Sequence, residues 1–90
     1  MRYNFIGKNI EVGEKTKEKV SAKLARIDKF FPEETVATVT LSSEKLGTNI
    51  EVTIPYHKRM IRAEVRDADM MAAVDEAIDI LENQVVRYKK

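Results

Sequence analysis

Thr35–Arg66, TVATVTLSSEKLGTNIEVTIPYHKRMIRAEVR, decides the fold. Its first segment, Thr35 to Glu44, sends Ala37, Val39 and Leu41 one way and Thr38, Thr40 and Ser42 the other. From Asn49 to Pro55, Ile50, Val52 and Ile54 alternate with Glu51 and Thr53. From Met60 to Arg66, Ile61, Ala63 and Val65 alternate with Arg62, Glu64 and Arg66. Strict alternation marks a half-buried strand with one face in water. The breaks at Lys45-Leu46-Gly47-Thr48 and at Pro55–Arg59 are turn-length, so the three strands form an antiparallel meander.

Upstream, Gly13 to Phe31, GEKTKEKVSAKLARIDKFF, carries a different period. At about 100° per residue, Thr16, Val20, Leu24, Ile27 and Phe31 make one apolar stripe. This predicts a helix from Glu14 to about Lys29, ended by Pro32, which cannot continue it. Before it, Arg2 to Lys8 reads as a strand. Downstream, Asp67 or Asp69 caps a long final helix. Its expected apolar stripe is Met70, Val74, Ala77, Leu81, Val85 and Tyr88, with Ile78 at the edge. The order is β-α-β-β-β-α. One sheet face is polar, so both helices pack on the other, giving a two-layer α+β domain with a four-stranded sheet.

Ninety residues with 43% hydrophobic and 34% charged content make one soluble domain, residues 1–90. Without cysteine there are no disulfides, thiolate metal sites or thiol nucleophiles. The first residues hold no apolar run long enough for a signal peptide or membrane span, which makes the cytoplasm the expected location. Catalysis finds little support. His57, the one histidine, sits in a turn beside Lys58 and Arg59 with no serine or acid near it in sequence. Asp67, Asp69, Asp75 and Asp79 read as a helix cap and a solvated face rather than a cation site. Gly7, Gly13 and Gly47 are isolated, so no phosphate loop exists. No cofactor and no small-molecule substrate are expected.

Charge distribution is more telling than the net charge of +1. Residues 1–31 hold eight Lys/Arg against four Asp/Glu, and the remainder is acidic in balance. Lys15, Lys19, Lys23 and Arg26 form a second stripe on the first helix, with Lys29 at its margin. An ordinary solvated face mixes the signs. Sorted cations suit the phosphates of a polyanion, without base reading. The final helix is acidic first (Asp75, Glu76, Asp79, Glu82) and basic last (Arg87, Lys89, Lys90), a gradient that also suits the helix dipole.

Several stretches resemble the ribosome hibernation-promoting factor and protein Y family. They are Ile6-Gly7-Lys8-Asn9-Ile10-Glu11-Val12, Ala22-Lys23-Leu24, Phe30-Phe31 and Asp69-Met70-Met71-Ala72-Ala73-Val74-Asp75. The resemblance covers essentially the whole chain, and the element order matches. It implies a non-enzymatic factor of stationary or stressed bacteria that binds the small ribosomal subunit in the messenger RNA and tRNA channel and blocks translation there. The matching cations are Lys17, Lys23 and Arg26 on the first helix, and Arg87 and Lys89 on the last. Met71, Gly13, Ile80 and Asn83 depart from the family's usual Tyr, Thr, Lys and Arg, so the second basic face is thinner, and Lys15 and Lys19 are expected to compensate. The candidate RNA-binding set is therefore Lys15, Lys17, Lys19, Lys23, Arg26, Lys29, Arg87, Lys89 and Lys90. The family's long form adds a linker and a second domain that pairs ribosomes. The chain is expected to be a short form or the N-terminal part of a long one, with dimerisation only through that further domain. Rival readings are a sigma-factor modulator, a generic double-stranded RNA-binding module and a small acylphosphatase-like enzyme. The double-stranded RNA reading is weakened by Asp69, Asp75 and Glu76 where its lysine cluster belongs.

Overall fold

The computed structural model describes residues 1–88; Lys89 and Lys90 lie outside the described residues. The three alternating segments become β2 (Val36–Glu44), β3 (Gly47–Tyr56) and β4 (Arg59–Asp67). They pair antiparallel, and β1 (Arg2–Gly7) joins parallel to β2, for an order β1-β2-β3-β4. The inward set Ala37, Val39, Leu41, Ile50, Val52, Ile54, Ile61, Ala63 and Val65 is buried. Two helices, α1 (Glu14–Leu24) and α2 (Met70–Tyr88), cover that face, as the period-2 pattern requires.

The first helix departs from expectation. It is α-helical only to Leu24, and Ala25–Phe30 tighten into a 3-10 segment. In that geometry residues three apart eclipse, which lines up Leu24 and Ile27, both fully buried. Phe31 then turns extended (φ −124°, ψ 145°), as a residue before proline is pushed to do, and still buries its ring. The α2 stripe keeps Val74, Ala77, Leu81 and Val85 as predicted but is wider. Ala73 and Ile78 are buried, whereas Tyr88 is 43% exposed, because the helix lies across β4 and β3 and needs a wider face. Asp69 caps α2, its Oδ1 accepting from the Met71 N–H at 3.0 Å. Asp67 supports that turn by accepting from the Asp69 N–H at 2.9 Å.

Two side-chain amides stand in for missing strand partners. Beyond the end of β1, Asn9 donates to the Ser43 carbonyl and accepts from its N–H, each at 2.7 Å. On the outer edge of β4, Gln84 of α2 accepts from the Arg62 N–H at 3.3 Å and donates to its carbonyl at 2.8 Å.

Gly47, at the start of β3, has φ of 153°. A Cβ there would sit 2.4 Å from the Asp67 carbonyl oxygen and 2.7 Å from the Ala68 Cα. Both obstacles are backbone and cannot swing away. Gly47→Ala should therefore cost about 1–3 kcal/mol, the range for forced overpacking, read as a lowered denaturation midpoint. A midpoint within error of wild type would refute the close approach.

Candidate nucleic-acid interface

The register sets the two helices parallel. Because β1 runs from Arg2 to Gly7 and β4 from Arg59 to Asp67, both α1 and α2 begin at one end of the sheet, the cap end, where β4 meets the Asp69 cap. Both finish at the other, the turn end, which holds the β3–β4 turn. Their side chains then meet at a nearly constant offset. Lys23 Nζ lies 2.9 Å from Asp75 Oδ1, and Arg26 Nη2 lies 2.6 Å from Asp79 Oδ1 and 3.3 Å from Glu82 Oε1. The Asp79 hydrogen bond raises the Arg26 pKa above its ordinary value, with the nearby charges of Glu82, Asp79 and Asp75 adding to it. The guanidinium stays charged, but its field is opposed by carboxylates.

The predicted basic stripe thus divides. Lys19 and Lys15 lie about one and two helical turns from Lys23 toward the cap end, ahead of the first carboxylate of the α2 row. The Asp67 and Asp69 carboxylates there are turned to backbone N–H groups. Lys15 and Lys19 are accordingly exposed and make no ion pair among the described residues. Lys17 makes only a loose contact with Glu14, 3.6 Å. The middle of the helical layer is compensated, and the free positive charge sits toward its ends.

At the turn end, Lys29 lies over the Phe30 ring, 5.4 Å from its centroid. Arg87 in the last turn of α2 is exposed and has no ion-pair partner among the described residues. The predicted Lys89 and Lys90 fall outside the described residues. Asp28 is held by the Met1 amino group at 3.0 Å. Two cations that the charge-stripe reasoning passed over also stand here: Lys58 in the β3–β4 turn and Arg59 at the start of β4. Arg59 rests on the Tyr88 ring, 4.8 Å from its centroid. A short turn has no periodicity to reveal such a partner.

The open sheet face is not a basic surface. Arg62 bridges Glu51 and Glu64, and Arg66 Nε lies 2.8 Å from Glu44. Asn49 donates to Glu64 at 3.1 Å. No aromatic side chain stands among these outward positions, so the face offers no stack for bases. The carboxylates weighed as cation ligands have other duties: Asp67 and Asp69 cap, while Asp75 and Asp79 bind α1. Among the described residues no group of three or more acids or histidines is placed to hold a metal ion. Nor is any helix among them long and apolar enough to cross a membrane.

Residues 3–90 match the family model described as Sigma 54 modulation protein / S30EA ribosomal protein. A ribosome hibernation promotion factor of Deinococcus radiodurans is 39% identical over 97% of this chain, which spans 48% of that protein. The match to a Bacillus subtilis factor of the same name likewise covers 49% of its length, so the chain spans about half of these relatives. The ribosome hibernation promoting factor of Escherichia coli K12 is 33% identical, with 99% of this chain and 94% of that one covered. The crystal structure of the Thermus thermophilus protein Y N-terminal domain superposes with a TM-score of 0.87 at 36% identity, covering 98% and 99% of the two chains. The resemblance carried by the Gly7-Lys8-Asn9 and Asp69–Asp75 stretches thus extends through the whole fold, and the chain belongs to the Sigma 54 modulation / S30EA ribosomal protein family of ribosome hibernation factors.

Proposed function

We propose that this chain binds the ribosome on its small subunit, contacts ribosomal RNA in the channel used by messenger RNA and tRNA, and inhibits translation by occupying that space. No bond is made or broken, so no catalytic residue or cofactor is needed, and a ribosomal partner places the protein in the cytoplasm. The observation that carries this reading is the free Lys15–Lys19 pair on an exposed helix face, in a chain whose relatives are named for ribosome hibernation. Lysine is a point charge that suits phosphate contact without sequence reading. Lys23 and Arg26 contribute less than the sequence implied, since a phosphate must compete with three carboxylates there.

Co-sedimentation with separated subunits across a salt series tests this. About five phosphate contacts give a log–log salt slope near −4. Saturable, salt-sensitive binding to the small subunit is expected. Binding only to the large subunit, or a flat salt dependence, would overturn the reading. The second reading, a protein partner of the sigma-factor kind, draws on the family's description and on the acids of α2. The pairing of Asp75, Asp79 and Glu82 with α1 weakens it, because those carboxylates are already engaged.

A further inference from the structure

The turn joining β3 to β4 is built against its residues' preferences. His57 (φ 49°) and Lys58 (φ 64°) are both left-handed. Positive φ at both central positions is type I′ geometry, which favours Asn-Gly. Each non-glycine residue held there costs on the order of 1 kcal/mol. An Asn-Gly turn would close the same hairpin at less cost, so the two side chains need a reason beyond the turn itself.

Around them lies an open cleft lined by Pro32, Thr35, Pro55, Tyr56, His57, Lys58 and Arg59. Its floor is apolar and aromatic. The Tyr56 ring packs edge-on to Phe31 at 5.4 Å and against His57 at 4.4 Å, which fixes the surface. Its rim is cationic. Lys58 has no ion pair among the described residues, and Arg59 is held by Tyr88 rather than by a carboxylate. Glu33 and Glu34, in the loop beside Pro32, are exposed and pair with neither. An exposed imidazole and prolyl ring beside two cations without carboxylate partners suit a nucleotide in an unpaired strand, with its base on the rings and its phosphate at the cations.

We propose that this cleft is a second RNA contact, taking one unpaired nucleotide with its base against Pro55 and His57 and its phosphate at Lys58 and Arg59. It lies at the turn end of the sheet, whereas Lys15 and Lys19 lie at the cap end. The choice of RNA over another polyanion rests on the ribosome reading above. Attachment then has two points, on a body 39 Å long, with the compensated Lys23–Asp75 and Arg26–Asp79 region between them.

The test combines Lys58→Gly with Arg59→Gln. Glycine suits the left-handed position, so the double variant keeps or gains stability, which thermal unfolding checks first. Fluorescence anisotropy with a 12-nucleotide single-stranded RNA should then show about tenfold weaker binding than wild type. The salt slope should fall by about 0.7, the value for one single-strand phosphate contact. A 12-base-pair RNA duplex, which offers no unpaired base, should show a smaller loss. Unchanged affinity and slope for the single strand would overturn the proposal, as would equal losses for strand and duplex. Ribosome co-sedimentation of the wild-type protein separates the two readings. If it fails while the oligonucleotide effect holds, the cleft stands and the ribosomal assignment falls.

Discussion

Reversing Lys15 and Lys19 together to glutamate should weaken ribosome binding by about two orders of magnitude at 0.1 M salt and leave the unfolding midpoint unchanged. The estimate follows from counterion release. Each phosphate contact carries a slope of about 0.9, hence roughly a factor of ten at that salt, and two are removed. The salt slope of the variant should be shallower by about 2. Stability is spared because both side chains are exposed and unpaired among the described residues. The same reversal at Lys23 and Arg26 is a poorer test. It would set two further carboxylates against Asp75, Asp79 and Glu82 and drive α1 from α2, so lost binding would have two causes. Filter binding or co-sedimentation with small subunits gives the answer. Wild-type affinity in the Lys15→Glu/Lys19→Glu protein would remove α1 from the interface.

Leu81→Asp should remove a large part of the domain's stability. Leu81 is fully buried on α2 against the sheet, and the described core contains no polar or charged side chain to receive a carboxylate. An unpaired buried charge costs several kcal/mol, here on the order of 4–5 kcal/mol. A chain of this length has only about 5–13 kcal/mol of stability to lose. Circular dichroism should show no sharp melt at 37 °C, or one at a greatly lowered midpoint. Ile80→Asp supplies the contrast, since Ile80 is 39% exposed one position away. Its melt should stay within a few degrees of wild type. Equal effects at the two positions would mean that the orientation of α2 is wrong.

How far these features could be read in advance depended on the range of the interaction behind each. Alternation in β2, β3 and β4 is local and strict, and so it was legible residue by residue. The Val20, Leu24 and Ile27 stripe was legible for the same reason, although its last turn tightens to 3-10 because Pro32 forces Phe31 extended. Ala73 was missed, and Ile78 was set only at the edge, because the width of a buried stripe depends on what lies beneath it, here two strands. On the site, the lysine row was visible but its partners were not. Lys23 meets Asp75 across 52 residues of chain and Arg26 meets Asp79 across 53, joined by the register of a sheet between them. The spacing of Asp75, Asp79 and Glu82 along one helix face was a signal that could have suggested a counter-row. The left-handed His57-Lys58 turn left no such trace, for neither residue is the usual occupant of that geometry.

Gln84 has a consequence for solubility. A bare sheet margin is a template on which another copy can crystallise its own backbone, and colloidal loss begins there. By occupying both backbone groups of Arg62, one glutamine takes the middle of that margin out of use without lengthening the sheet. A copy approaching β4 must first displace a helix side chain, so lateral growth of fibrils through this border carries an added barrier.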